Sequence, residues 1–293
     1  MVSSDEIEQK LNTIVPDVLL SAAMIAYLGP FTSSYRKQAV ESWLFQMHTD
    51  SLTTLPNFTL ERVLGEPVLI RRWQVNGLPV DSFSCENGLM MNSGLKWPLM
   101  IDPQGQANRW IKNMEMSDGQ NSGNRLMILK PSDTENFVQR FEQALRMGLP
   151  MLLESVGEEL DPILDPVLLK HVFKVAGVKQ IKFGDANIDY ADEFKLYMTT
   201  RYSNPHYLPE LTTKVQLINF MITFEGLSEQ LLNLVVQQEN QLLDQEHERL
   251  MITQYENQRR MRDTEATILR VLKDSKGDIL DDENAINILN SSQ

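Results

Sequence analysis

From residue 96 to residue 223, short apolar runs alternate with segments of helical periodicity, and this alternation narrows the possible folds more than any other feature of the chain. Strand-like runs fall at residues 98–101, 126–129, 151–153, 194–199 and 215–222. Segments of helical spacing at 107–114, 134–147 and 166–176 separate them. Strands and helices in alternation build an α/β sandwich around a largely parallel sheet. A small hairpin is expected over 181–190, where Phe183-Gly184-Asp185-Ala186-Asn187 sets turn residues between alternating apolar positions.

The flanking zones read differently. Over 18–48 the apolar positions Leu19, Leu20, Ala23, Met24, Tyr27, Tyr35, Ala39 and Trp43 follow helical spacing, broken at Gly29-Pro30, which predicts two helices joined by a tight corner. Residues 49–95 mix short helical and turn signals, with a weak helix start at Ser84-Cys85-Glu86-Asn87 and an end at Gly94. Beyond Pro209 there is no further proline, and Gly226 and Gly277 are the only glycines, so the last zone is expected to be almost wholly helical with a boundary at Gly226. Leu243, Leu250, Met261 and Ile268 lie near heptad spacing, but His247, Gln254 and Asn257 interrupt them. A coiled coil and a solvated helix packed on one side explain that pattern about equally well.

Composition excludes several functions. The chain carries 27 basic and 40 acidic residues, a net charge of −13, and a generic nucleic-acid binder needs the opposite balance. A single cysteine, Cys85, cannot form an internal disulfide, and residues 1–15 lack the basic-then-apolar order of a secretory signal. No apolar stretch reaches the roughly 20 residues a membrane helix needs. A soluble chain in a reducing, intracellular compartment is therefore expected, with no membrane partner, and the triplet Asn57-Phe58-Thr59 is set aside as a glycosylation site. His48, His171, His206 and His247 form no pair at metal-ligand spacing, and Cys85 has no thiolate companions, so no metal site is expected. The acidic stretch Glu158-Glu159-Leu160-Asp161 with Asp165 lacks calcium-loop spacing and reads better as a loop capping the following helix.

The most informative segment runs from Lys96 to Trp110. It has the layout of a phosphate-binding loop: an apolar strand, a turn containing glycine, then a helix. In an active loop the backbone N–H groups hold phosphate, a lysine neutralises it and a hydroxyl binds Mg²⁺. Aligning Gly105 with the second glycine of GxxxxGK[ST] puts Met100 at the first glycine, Gln106 at the lysine and Ala107 at the hydroxyl. All three chemical parts are missing. The vestigial loop Pro103, Gln104, Gly105, Gln106 and Ala107 is thus expected to bind no nucleotide, although an ordinary strand–turn–helix would read the same way. Charge-assisted bonds contribute about 1.5–3 kcal/mol each, so losing cation and hydroxyl together removes several kcal/mol of affinity.

Two later strands carry related signals. An active loop enzyme ends one strand in Asp-Glu, one acid placing the metal and the other the attacking water. Here residues 151–153 lead into Glu154-Ser155, which leaves one acid at the metal position, or a surface acid, and a serine in place of the base. At the end of the fourth strand Thr200 and Arg201 stand where a polar sensor of the outer phosphate would lie, though Arg201 reads equally as a solvated or interface base.

Trp97-Pro98-Leu99-Met100-Ile101-Asp102-Pro103-Gln104-Gly105-Gln106-Ala107-Asn108-Arg109-Trp110-Ile111-Lys112-Asn113-Met114-Glu115 resembles the signature of the fifth AAA+ module of dynein heavy chains. Further matching segments are Ala26-Tyr27-Leu28-Gly29-Pro30-Phe31-Thr32, Gly77-Leu78-Pro79 with Asp81 and Phe83-Ser84, and Gly157-Glu158-Glu159-Leu160-Asp161-Pro162. Asn204-Pro205-His206-Tyr207-Leu208-Pro209-Glu210 and Asn219-Phe220-Met221-Ile222-Thr223 with Glu225-Gly226-Leu227 complete them. Asp-Pro-Gln-Gly-Gln and Asn-Pro-His-Tyr-Leu-Pro-Glu are closer to axonemal than to cytoplasmic heavy chains, which implies a cilium or flagellum.

The resemblance implies a three-layer AAA+ sandwich with a parallel five-stranded sheet, N-terminal helices and a C-terminal helical lid. It implies a module of a microtubule motor that binds no nucleotide itself, ATP and Mg²⁺ being held by other modules of the parent protein. Its partners would be the neighbouring modules, stalk and strut of the same heavy chain. Microtubules and dynein intermediate and light chains would be reached through the parent. On this mapping residues 1–16 are the last part of the stalk's returning helix and 17–95 the N-terminal helical part. Residues 96–224 form the α/β body, 225–276 the lid, and 277–293 the segment leading to the strut. Such a chain is expected to be a fragment, a partial gene model or a short isoform. Pro16-Asp17 stands where the family often has Gly-Asp, and proline is expected to interrupt a helix running through that point. Three functions stay open: a non-catalytic mechanical module, a module that itself binds or hydrolyses ATP, and a free-standing scaffold. In the first, the turn around Gly184–Asn187 and the charged segment 239–262 are candidate contacts with neighbouring modules.

Overall fold

The computed structural model describes residues 4–122, 126–131, 137–175, 177–184, 186–239 and scattered residues between 249 and 270. The N-terminal zone opens with α1 (Ser4–Tyr27) and α2 (Ser33–Thr49), joined at the Gly29-Pro30 corner. Pro16 lies inside α1 and does not end it, contrary to the expected interruption. A buried proline removes one backbone hydrogen bond. Past it, Leu20, Met24 and Leu28 recur at four-residue intervals in the core and anchor the helix. Asp17 also ties this turn to the next segment, its Oδ1 accepting from the Leu55 N–H at 3.0 Å.

Three shorter helices follow: α3 (Leu60–Leu64), α4 (Pro67–Val75) and α5 (Ser82–Ser93). Helix α5 starts two residues before the expected Ser84 because Asp81 is its cap, accepting from the Ser84 N–H, and it stops at Gly94 as expected.

The body then alternates as its sequence predicts. In chain order it runs β1 (Pro98–Ile101), α6 (Gln106–Ser122), β2 (Met127–Leu129), α7 (Phe137–Met147) and β3 (Met151–Leu153). After one 3₁₀ turn at Pro162–Leu164 come α8 (Asp165–Leu168), β4 (Val172–Val175), β5 (Val178–Phe183) and β6 (Ala186–Asp189). The run ends with β7 (Leu196–Thr200), α9 (Pro209–Lys214), β8 (Gln216–Asn219) and α10 (Phe224–Glu239).

Five strands form one sheet in the order β2-β3-β7-β1-β8, and every pairing is parallel. Its central strands β1, β3 and β7 are buried at every position, as strands covered on both faces must be. Met100, Leu152, Tyr197 and Ile218 face one core with Trp73, Trp110 and the N-terminal helices. Leu99, Leu153 and Met198 face the other, with Phe141 of α7 and Ile181, Phe183 and Ile188 of the second sheet.

That second sheet corrects the expected helix at 166–176. Only Asp165–Leu168 is helical; Lys170 then takes a left-handed backbone, φ 53°, and the chain enters β4. Val172-Phe173-Lys174-Val175 pairs antiparallel with β5, which pairs with β6 as the expected hairpin. β-branched residues suit a strand once a partner edge exists, and the partner lies further along the chain. Helix α10 begins at Phe224, so the boundary expected at Gly226 lies two residues early, with Thr223 Oγ1 accepting from the Gly226 N–H at 3.0 Å. Of the heptad positions, Leu243 and His247 and the segment 277–293 lie outside the described residues, while Leu250 and Met261 are exposed.

Candidate functional site

The β1–α6 turn leaves the sheet at an inner strand, between β7 and the edge strand β8. Its first residue is pinned to the sheet, the Asp102 N–H donating to the Thr200 carbonyl at 2.9 Å. Gly105, at φ 76°, supplies the left-handed step that reverses the chain; no atom lies near its missing Cβ, so backbone conformation and not space selects glycine. Helix α6 then starts at Gln106.

Asp102 is 2% exposed, and its carboxylate folds back onto this helix start. Oδ1 accepts from the Gln106 N–H at 2.7 Å and Oδ2 from the Asn108 N–H at 2.9 Å. Burial raises the Asp102 pKa, while backbone hydrogen bonds from Asn108, Gln106, Gly105 and Ala107 oppose that rise.

The other loop residues lie around this cap. Pro103 is half-buried, and Gln104 is exposed with its Oε1 3.4 Å from the Ile222 N–H that donates to it. Gln106 is 8% exposed. Ala107, at the hydroxyl position, is fully buried in the core with Trp110 and Ile111, and Met100, at the first-glycine position, is likewise fully buried.

Glu154 is brought to the same helix. Its Oε1 accepts from Asn108 Nδ2 at 3.0 Å and pairs with Lys112 Nζ at 2.5 Å. Burial pushes its pKa up, but the hydrogen bonds from Lys112 and Asn108 and the nearby positive charge of Lys112 and Lys130 outweigh that and hold it below the ordinary carboxylate range. Ser155 beside it is exposed with a left-handed backbone, φ 56°. Thr200 is fully buried, its Oγ1 accepting from the Tyr202 N–H at 3.3 Å, whereas Arg201 is exposed. The sheet thus gathers the loop, Glu154 and Thr200 at one end and leaves the Ser155 and Arg201 side chains in solvent.

Other candidates resolve into structural roles. Cys85 is buried and its thiol pKa is raised to about 11 by burial, so it is no nucleophile near neutral pH. Glu158 accepts from the His206 N–H at 2.9 Å, Asp161 caps the 3₁₀ turn through Ile163, and Asp165 pairs with Lys214 at 2.8 Å. Among the described residues no group of three or more His, Cys, Asp or Glu is placed to hold a metal, and no helix is long and apolar enough to cross a membrane.

Sequence reasoning missed Arg36. It is 1% exposed, and its guanidinium donates to the carbonyls of Leu28 at 2.9 Å, Gly29 at 2.8 Å and Phe31 at 3.2 Å. It also donates to Asn87 Oδ1 at 2.8 Å, pairs with Glu86 at 3.4 Å, and lies 4.3 Å from the centre of the Phe83 ring. Asn87 passes the connection on, donating to the Asn219 carbonyl at 2.8 Å, and the Asn219 N–H donates to the Gly29 carbonyl at 2.9 Å. The corner after α1, helix α5 and edge strand β8 are thereby locked together. Gly29 is required by this approach, since a Cβ there would sit 2.1 Å from the Leu217 carbonyl oxygen. The hint in the sequence was that Leu28-Gly29-Pro30 and Asn219-Phe220 both belong to recognisable segments; no spacing rule connects them.

A five-stranded parallel sheet sandwiched between helical layers, with a glycine turn from the inner strand β1 into a helix and an acid at the end of β3, one strand beyond its neighbour β7, defines a module of the AAA+ class. A family model described as the ATP-binding dynein motor region matches residues 71–293. Dynein axonemal heavy chain 3 of Mus musculus is 46% identical over 284 residues, covering 97% of this chain and 7% of that protein. Dynein axonemal heavy chain 6 of Homo sapiens is 42% identical, covering 99% of this chain and 7% of its own length. The dynein-1-beta heavy chain of the flagellar inner arm I1 complex of Chlamydomonas reinhardtii is 40% identical, with 99% and 6% covered. The chain belongs to the dynein heavy-chain motor family and is an AAA+ domain of axonemal type, spanning about 7% of the length of the curated relatives it matches. The family description names ATP, and the donor set of this turn does not fit it. The N–H groups at the start of α6 are engaged by Asp102, Gln106 brings no cation, and Ala107 has no oxygen for a metal.

Proposed function

We propose that this domain is the fifth AAA+ module of an axonemal dynein heavy chain and serves there as a non-catalytic structural relay. In this reading the parent protein is an ATP-driven, minus-end-directed microtubule motor of cilia and flagella, and other modules hold its ATP and Mg²⁺. Residues 1–16 end the returning stalk helix, 17–95 and 96–224 form the body, 225–276 the lid, and 277–293 lead toward the strut. The signature from Trp97 to Glu115 supports the place in the ring. The axonemal setting rests on relatives named as axonemal heavy chains and, in one case, as part of a flagellar inner arm complex.

The non-catalytic role is carried by one observation: the residues at the lysine and hydroxyl positions are Gln106 and Ala107, and Ala107 is packed in the core. A triphosphate there would face neither a side-chain cation nor a metal-binding oxygen. The relay is supported by the Arg36–Asn87–Asn219 chain of hydrogen bonds, which ties the corner after α1 to helix α5 and the sheet edge β8. Equilibrium titration of the chain with Mg-ATP tests the reading. No saturable binding is expected, and a micromolar Kd, about −8 kcal/mol, would overturn it.

A further inference from the structure

We propose that Asp102 acts as a resident anion, its carboxylate lying where the loop of an active relative would hold a phosphate, so that the site is occupied by the chain itself as well as stripped of its cation and hydroxyl. This deepens the non-catalytic reading and rests on it.

The argument starts from what the turn must satisfy. The first N–H groups of a helix have no partner within it, and they attract negative charge. In a phosphate-binding loop these groups wrap a phosphate, and that ligand is their partner. Here α6 is 17 residues long and starts against the buried sheet, so its first N–H groups need an acceptor from the protein. Asp102 supplies it with both oxygens, at 2.7 Å to the Gln106 N–H and 2.9 Å to the Asn108 N–H, and its backbone carbonyl accepts from the Gly105 N–H at 3.3 Å. Gln106 stands at the loop's lysine position and Asn108 directly after its hydroxyl position. The carboxylate is 2% exposed and its own N–H is held by Thr200, so neither the group nor its backbone is free to swing away without breaking the sheet contact.

Glu154 completes the arrangement. The acid that would face a metal instead receives Asn108 and Lys112, both from α6. The helix start is therefore held on one side by Asp102 through its backbone and on the other by Glu154 through its side chains, and no exogenous ion is needed to balance it.

The test uses the full chain and inorganic phosphate. Asp102→Ala is expected to lower Tm by about 2–6 °C, the loss of a helix cap in a protein of this size. Tens of millimolar inorganic phosphate should restore part of that loss in Asp102→Ala, chloride at matched ionic strength should not, and the unsubstituted chain should respond to neither. An Asp102→Ala protein indifferent to phosphate would overturn the proposal while leaving the non-catalytic reading intact. Mg-ATP binding by the unsubstituted chain would overturn that reading whatever Asp102→Ala does. Should Asp102→Ala not fold, Asp102→Asn keeps one acceptor. The amides of Gln106 and Asn108 should then exchange with deuterium about tenfold faster than in the unsubstituted chain, with the remainder of α6 unchanged. Equal protection in the two proteins would also overturn the proposal.

Discussion

Asp102 and Arg36 are near mirror images. Each is a charged side chain almost wholly out of water, 2% and 1% exposed, and each sits at a helix end whose sign it complements. Asp102 accepts from N–H groups at the start of α6; Arg36 donates to carbonyls just past the end of α1. They differ in reach. The two N–H groups on the Asp102 carboxylate, those of Gln106 and Asn108, lie within six residues of it, whereas Arg36 connects to Asn87, 51 residues away, and through it to Asn219. The first is a local cap that finishes one turn. The second is a clamp between elements, and its loss should propagate.

That contrast sets the order of the expected effects. The largest belongs to Arg36→Ala, which takes a buried donor from Asn87 Oδ1 and from the carbonyls of Leu28, Gly29 and Phe31 and leaves Glu86 without its ion-pair partner. A destabilisation of about 3–5 kcal/mol is expected in urea unfolding, and Arg36→Lys should recover only part of it because an ammonium cannot reproduce the fork. A cost near that of Asp102→Ala would erase the distinction between clamp and cap. Gly29→Ala comes next. Its Cβ meets a backbone oxygen, so the corner must shift, at about 1–3 kcal/mol, and the shift should appear as faster exchange of the Asn219 amide. Asp102→Ala should cost about 0.5–2 kcal/mol with exchange changes confined to the start of α6.

Smaller still is the share of Glu154. Its folded pKa is depressed, so its contribution is present in full above the ordinary carboxylate range and is lost as pH falls through the lowered folded value. Acid titrations should show Glu154→Gln losing stability less steeply than the unsubstituted chain over that window. Lys112 is about a third exposed, so salt should weaken the difference. No change at all is expected at Cys85, where a thiol-specific reagent at pH 8 should react only as fast as the chain unfolds.

Much of this architecture was legible in advance. Strands β1 and β3 match the expected runs residue for residue, because strands buried on both faces are short, apolar and bounded by turns. The hairpin was legible from Gly184, while β4 was not, since Val172 to Val175 reads as helix or strand until β5 supplies an edge. At the loop, the missing lysine and hydroxyl could be read directly at Gln106 and Ala107. The carboxylate of Asp102 passed unnoticed because an aspartate before proline is ordinary turn chemistry.

Residue order alone therefore determined the alternation of strand and helix, the family signature and the absence of a cation beside Gly105, all of which depend on neighbours a few positions apart. Only the tertiary structure decided that Arg36 is buried, that Glu154 meets Lys112, and that β4 is a strand. Arg36 and Glu154 depend on partners dozens of residues away and β4 on the edge that β5 supplies, and burial assigns a charge its role only once the surrounding chain has removed the water.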